Sequence, residues 1–150
     1  MEHLYELQHT NYDQGGNIDN EFHRIRGSAV SFLGETYKNG LLFSRGGTYT
    51  EEDPFIEYDL KGKYSLLTGK VSMITAVSML GQELSIRQHD LVKLVFYVDD
   101  EVVHTTPWTN PTMDISFSVD LSGAQKLKIA IVGEQDYVEN CIALTGLDLL

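Results

Sequence analysis

From Met113 to Leu121 the apolar residues fall on every second position: Met113, Ile115, Phe117, Val119 and Leu121 alternate with Asp114, Ser116, Ser118 and Asp120. Successive side chains of an extended strand point to opposite faces, so this segment has one apolar and one polar face. A helix would scatter the same residues around its circumference. Val92, Leu94, Phe96 and Val98 repeat the pattern, and a turn at Asp99-Asp100 with a return through Val102 and Val103 predicts a hairpin. Leu127, Ile129 and Ile131 form another inward row, and Ile56, Tyr58 and Leu60 one more. Tyr64 to Val77 reads as one long strand or two short ones, and further strands are expected near 29–33, 41–45 and 142–149. The only competing helical stretch, Thr75 to Gln88, is interrupted by Gly81. Eight or nine short strands with Gly, Asp and Asn punctuation predict an all-β chain, an antiparallel β-sandwich.

The 150 residues suit one domain spanning 1–150, with a polar, loop-rich segment over 1–27. A chain of this length buries roughly 70% of its unfolded surface, enough for a core without disulfides or metal. The single cysteine, Cys141, has no internal partner; between Asn140 and Ile142 it reads as a buried structural thiol.

Charge narrows the partners. With 22 acidic against 11 basic side chains the formal net charge is −11. Such a surface repels nucleic-acid phosphates and anionic membranes. It suits neutral sugars, cations or a basic protein, or serves solubility alone. No stretch approaches the ~18 apolar residues of a membrane span, so no membrane insertion is expected. The N-terminus lacks a basic region followed by an apolar run. The expected compartment is extracellular if the chain is an excised module and cytoplasmic if it is complete.

Catalytic signatures are absent: no G-x-S-x-G, G-x-x-x-x-G-K, G-x-G-x-x-G or H-E-x-x-H occurs. His3, His9, His23, His89 and His104 show no metal-ligand spacing. The expectation is therefore a protein that is not an enzyme. Asp13, Asn17, Asp19 and Glu21 place alternating oxygen donors in a glycine-containing stretch, which suits calcium without matching EF-hand spacing. A solvated loop is the simpler explanation of them. Trp108 lies between Pro107 and Thr109 in Thr105–Pro111, a segment read as a loop. There it is either a stacking platform for a sugar ring or a plug closing one end of the sandwich. Tyr49 and Tyr137 also fall in predicted loops.

Four segments occur in order: Gly34-Glu35-Thr36-Tyr37-Lys38-Asn39-Gly40-Leu41-Leu42, Ile56-Glu57-Tyr58-Asp59-Leu60-Lys61-Gly62-Lys63-Tyr64, Val95 to Val103 and Val119 to Ile129. Together they are similar to the NPCBM family of carbohydrate-binding modules: the first resembles that family's G-K-x-Y-x-x-G-I and the second I-x-Y-x-L-x-G-K-Y. Val95 to Val103 resembles V-x-F-x-V-x-x-D-G-x-x-V, and Val119 to Ile129 resembles V-D-V-S-G-A-K-x-L-x-L. The resemblance implies a jelly-roll, galactose-binding-like sandwich, usually a module of a secreted bacterial glycoside hydrolase, with galactose-type ligands and a structural calcium in some members. The chain departs from the pattern at Gly40-Leu41-Leu42-Phe43-Ser44-Arg45, which lacks the family's histidine, and at Glu139-Asn140-Cys141-Ile142-Ala143-Leu144-Thr145-Gly146, which lacks its tryptophan and paired acids.

The resulting expectation is a noncatalytic module that recognises a neutral, galactose-type glycan through loops. Trp108 or Tyr137 would stack on the ring, and Arg45, Glu139 and Asn140 would hydrogen-bond its hydroxyls. Asp13, Asn17 and Asp19 are the candidate metal ligands. The alternative is a protein-interaction sandwich that has lost the sugar site.

Overall fold

The computed structural model describes residues 2–12, 17–19, 27–46, 53–79, 81–86, 90–134 and 139–150, which form two antiparallel sheets. In chain order the strands are β1 (Glu2–His3), β2 (His9–Tyr12), β3 (Asn17–Asp19), β4 (Ser28–Ser31), β5 (Thr36–Tyr37), β6 (Leu41–Gly46) and β7 (Phe55–Asp59). They continue as β8 (Leu66–Met79), β9 (Gln82–Ser85), β10 (Val92–Val98), β11 (Glu101–Thr105), β12 (Ile115–Asp120), β13 (Lys126–Gly133) and β14 (Glu139–Leu149). A short 3-10 turn, Leu4–Glu6, follows β1.

The first sheet is built on β8. Its first half pairs with β12 on one side and β14 on the other, and its second half with β4 and β9. Beyond β14 come β6 and then β3. The second sheet runs β11-β10-β13-β7-β2. The polar N-terminal segment thus supplies three short strands, one pairing with β14, one with β7 and one with β6.

The alternating rows meet between the sheets. Ile115, Phe117 and Val119 of β12 join Leu94 and Phe96 of β10, Leu127, Ile129 and Ile131 of β13, and Ile56 and Tyr58 of β7 in one core. Phe96 and Phe117 cross from sheet to sheet with ring centroids 4.9 Å apart. Burying a side chain of this size stabilises by about 1.5–3 kcal/mol, so these rows hold the sandwich closed. Met113 does not join them. It is exposed, because Asn110 closes a turn onto it and β12 begins only at Ile115.

A second apolar cluster lies apart from that core. Leu42 of β6 and Cys141 and Ala143 of β14 alternate with residues of the main core and pack with Ala29, Ile74 and Val77. The stretch with weak helical character is thereby explained: Val71 and Met73 join the main core while Ile74 and Val77 join the second cluster, so buried apolar residues fall on both faces. Over its described residues this stretch is the end of the single long strand β8 and a hairpin into β9, with Gly81 at the turn; Gln88 lies outside the described residues. Cys141 is buried, as expected, and burial pushes its thiol up to about 12.

The two ends of the sandwich differ. At one, three turns interlock: Leu60 N–H donates to the Gln125 carbonyl at 2.7 Å, Leu121 N–H to Ser65 at 2.9 Å, and Gly123 N–H to Tyr64 at 3.1 Å. Asp99 and Asp100, both with positive φ, make the tight hairpin turn, and the Asp99 carboxylate accepts the Lys126 N–H at 2.9 Å. Both β1 and the end of β14 belong to this end, where Glu2 is registered with Leu149. At the other end lie the close of β6, the starts of β7, β10 and β14, and the close of β13.

Candidate ligand-binding end of the sandwich

The segment after β11 carries Trp108 into this second end. Thr106 and Thr109 are both buried and hold the segment against the start of β10. Thr106 N–H donates to the Leu94 carbonyl at 2.9 Å while its Oγ1 accepts the Leu94 N–H at 2.9 Å. Thr109 repeats the exchange with Val92, at 2.7 Å and 3.0 Å. Two side-chain hydroxyls thus replace two rungs of a sheet ladder, and the residues between them cannot turn inward. Trp108 projects outward and is 39% exposed. Lys93, on the outer face of β10, lies over its ring at 4.9 Å from the centroid. Just beyond, Asn110 Oδ1 accepts the Thr112 N–H at 2.8 Å and its hydroxyl at 2.7 Å, which fixes the return toward β12.

Of the sequence-predicted residues, Arg45 and Asn140 are direct cross-strand partners, with Glu139 registered to Gly46 beside them. Asn17 is registered to Ser44, one position from Arg45, and Asp19 to Leu42. Arg45, Glu139, Asn140 and Asn17 therefore gather by register where β3, β6 and β14 run together. Trp108 is at the same end but on the other sheet, since Val92 is registered with Gly133, the last residue of β13. Tyr137, Asp13, Glu21 and Tyr49 lie outside the described residues. Among the described residues no group of three His, Cys, Asp or Glu could hold a metal ion.

Sequence reasoning missed a polar network on the outer face of the first sheet. Tyr37 of β5 bonds through its hydroxyl to Glu35 at 2.8 Å and Ser72 at 3.0 Å, and to Asp114 at 3.4 Å. Lys70 Nζ stands 3.1 Å from Glu35 and 3.4 Å from Asp114, and 5.2 Å from the Tyr37 ring centroid. The Tyr37 hydrogen bond, followed by Lys70, holds the Glu35 carboxyl below its ordinary value. Burial, the largest cause, raises Tyr37. The one available signal was the alternation of Thr68, Lys70 and Ser72 with the apolar Leu67, Val71 and Met73 on β8.

Neither a protein-family model nor a curated protein matches the chain. Solved structures do. A CBM51 from a Clostridium perfringens GH95, in complex with methyl-galactose, superposes with a TM-score of 0.66 at 18% identity, covering 99% of both chains. In fold, the chain is similar to CBM51 modules. The CBM51-2 and INT domains of Clostridium perfringens ZmpB match with a TM-score of 0.65 at 15% identity, over 98% of this chain and 30% of that one. Tandem CBM51 modules of Sp3GH98, a family 98 glycoside hydrolase from Streptococcus pneumoniae SP3-BS71, match with a TM-score of 0.60 at 12% identity, over 95% and 44%. The expected β-sandwich is therefore established. The NPCBM resemblance itself rests on the four segments quoted above.

Proposed function

We propose that the chain is a noncatalytic module that holds a neutral, galactose-type glycan at the Trp108 end of its sandwich. The observation that carries this reading is the mounting of Trp108. A half-exposed indole, fixed from both sides by buried threonine rungs, loses little freedom when a sugar ring stacks on it. Arg45, Glu139 and Asn140, brought to the same end by strand register, supply hydrogen bonds to sugar hydroxyls, and Tyr137 a second ring. The CBM51 neighbours, one of them bound to methyl-galactose, support the ligand class. Their being parts of longer proteins supports residues 1–150 acting as one module beside a catalytic domain. Asp13, Asn17 and Asp19 are retained as a candidate calcium site near β3.

Glycan-array screening followed by calorimetry tests the proposal. A galactose-type ligand should bind, and Trp108→Ala should weaken it at least tenfold without lowering the melting temperature. Silence across the array favours the protein-interaction alternative, and an unchanged affinity in the variant removes Trp108 from the site.

A further inference from the structure

We propose that the outer face of the first sheet carries a second binding site, separate from the Trp108 end, for a single uncharged sugar ring or comparable polyol. Here a cleft of about 360 Å³ opens between Thr68, Lys70, Ser116 and Thr145, with Gly69 and Gly146 among its lining. That volume lies within the ~300–1,000 Å³ usual for small-molecule clefts.

Register explains the arrangement. Ser116 of β12 and Thr145 of β14 are both direct partners of Lys70 on β8, one from each side. The three side chains form a row across three strands, hydroxyl, ammonium, hydroxyl. Thr68 stands two residues along β8 on the same face. Next to this row the β14–β8 ladder breaks: Thr145 pairs with Lys70 and Asp148 with Thr68, leaving Gly146 and Leu147 without partners in the register. Both adopt positive φ, +77° and +51°, a costly conformation for the leucine. A Cβ on Gly146 would stand 3.5 Å from Gly69 Cα, between two residues that line the cleft.

Two features select the ligand. Lys70 sits between the Glu35 and Asp114 carboxylates, so the local balance is negative and a carboxylate or phosphate is disfavoured. What remains is a set of hydroxyls with one ammonium held in place, the donor and acceptor mixture that ring hydroxyls match. Thr145 lines the cleft, and its Oγ1, shielded from solvent, has no hydrogen-bond partner within the described residues, a capacity that a modest side-chain rotation would turn toward a ligand. The site draws on none of the residues proposed at the Trp108 end, and Trp108 itself lies beside the other sheet.

The test is an amide-resolved NMR titration of the 150-residue chain with methyl galactoside, N-acetylglucosamine and, as an anionic control, glucuronate. The proposal expects saturable shifts at Gly69, Lys70, Ser116, Thr145 and Gly146 with a neutral sugar, persisting in Trp108→Ala. It also expects glucuronate to bind at least tenfold more weakly. Thr145→Val and the exposed Ser116→Val should each weaken binding at least fivefold while leaving the melting temperature within a few degrees. Absence of saturable shifts at these amides overturns the proposal. So does their loss in Trp108→Ala, or their indifference to both valine variants. The Trp108 indole signal, followed in the same spectra, reports separately on the first site.

Discussion

Gly40 offers a test of how the first sheet is closed. It adopts φ +122°, and a Cβ built on it would lie 2.3 Å from the Leu144 carbonyl oxygen and 3.3 Å from the carbonyl carbon. Leu144 is registered with Leu41 at the end of the β6–β14 pairing and with Val71 on its other side, so that oxygen cannot retreat without disturbing the sheet. A non-glycine residue in such a conformation costs about 1–3 kcal/mol, and forcing an extra carbon into filled space costs about 1–3 kcal/mol more. Gly40→Ala should therefore lose roughly 2–6 kcal/mol, a large part of the ~5–15 kcal/mol that holds a domain together. Gly81→Ala is the matched control. Its φ is +78°, but nothing lies within 4 Å of the added Cβ, so only the conformational cost of about 1–2 kcal/mol applies. Urea denaturation with unchanged m-values measures both. If Gly40→Ala loses no more than Gly81→Ala, the close approach of Gly40 to β14 is wrong, and with it the packing of β6 described above.

Three further outcomes are expected. Thr106→Val and Thr109→Val each leave a buried N–H of β10 unpaired and should cost about 1–3 kcal/mol by denaturation; either should also weaken the proposed glycan binding by loosening the mounting of Trp108. With its thiol raised to about 12 and buried, Cys141 should resist a disulfide-exchange reagent at pH 8 in the folded protein and react at once in 6 M guanidinium; fast labelling of the native chain would refute its burial. Because Glu35 is held below its ordinary 4.5, its stabilising share is present above that value and lost as pH falls through the lower, folded value; melting of the wild type against Glu35→Gln should therefore differ at pH 7 and converge in acid, and a constant difference would contradict the network.

Much of the second sheet is readable from single residues. Val92, Leu94 and Phe96, and Leu127, Ile129 and Ile131, alternate because one face of each strand is core and the other meets water. Asp99-Asp100 announces its turn because aspartate tolerates positive φ. The first sheet is harder. Leu41 to Phe43 is an unbroken apolar run and Met73 and Ile74 are apolar neighbours, since Leu42 and Ile74 fill the outer cluster while Leu41, Phe43 and Met73 fill the core. No period survives when both faces are covered. Trp108 was legible as a loop residue, but not its mounting, because the threonine rungs pair residues 12 and 17 positions apart. The network of Tyr37, Lys70 and Asp114 joins three separate strands or their approaches, and nothing local in any one of them signals the other two.

The pairing of Glu2 with Leu149 has a practical consequence. Entry and exit of the polypeptide stand side by side, on the far side of the molecule from Trp108. Whatever is fused before or after this stretch meets it at a single point of attachment, and a tether there leaves the indole pointing away from its carrier. The same adjacency would let a short linker join the two termini, with new ones cut at the Asp99-Asp100 turn, to yield a circular permutant whose Trp108 end is untouched.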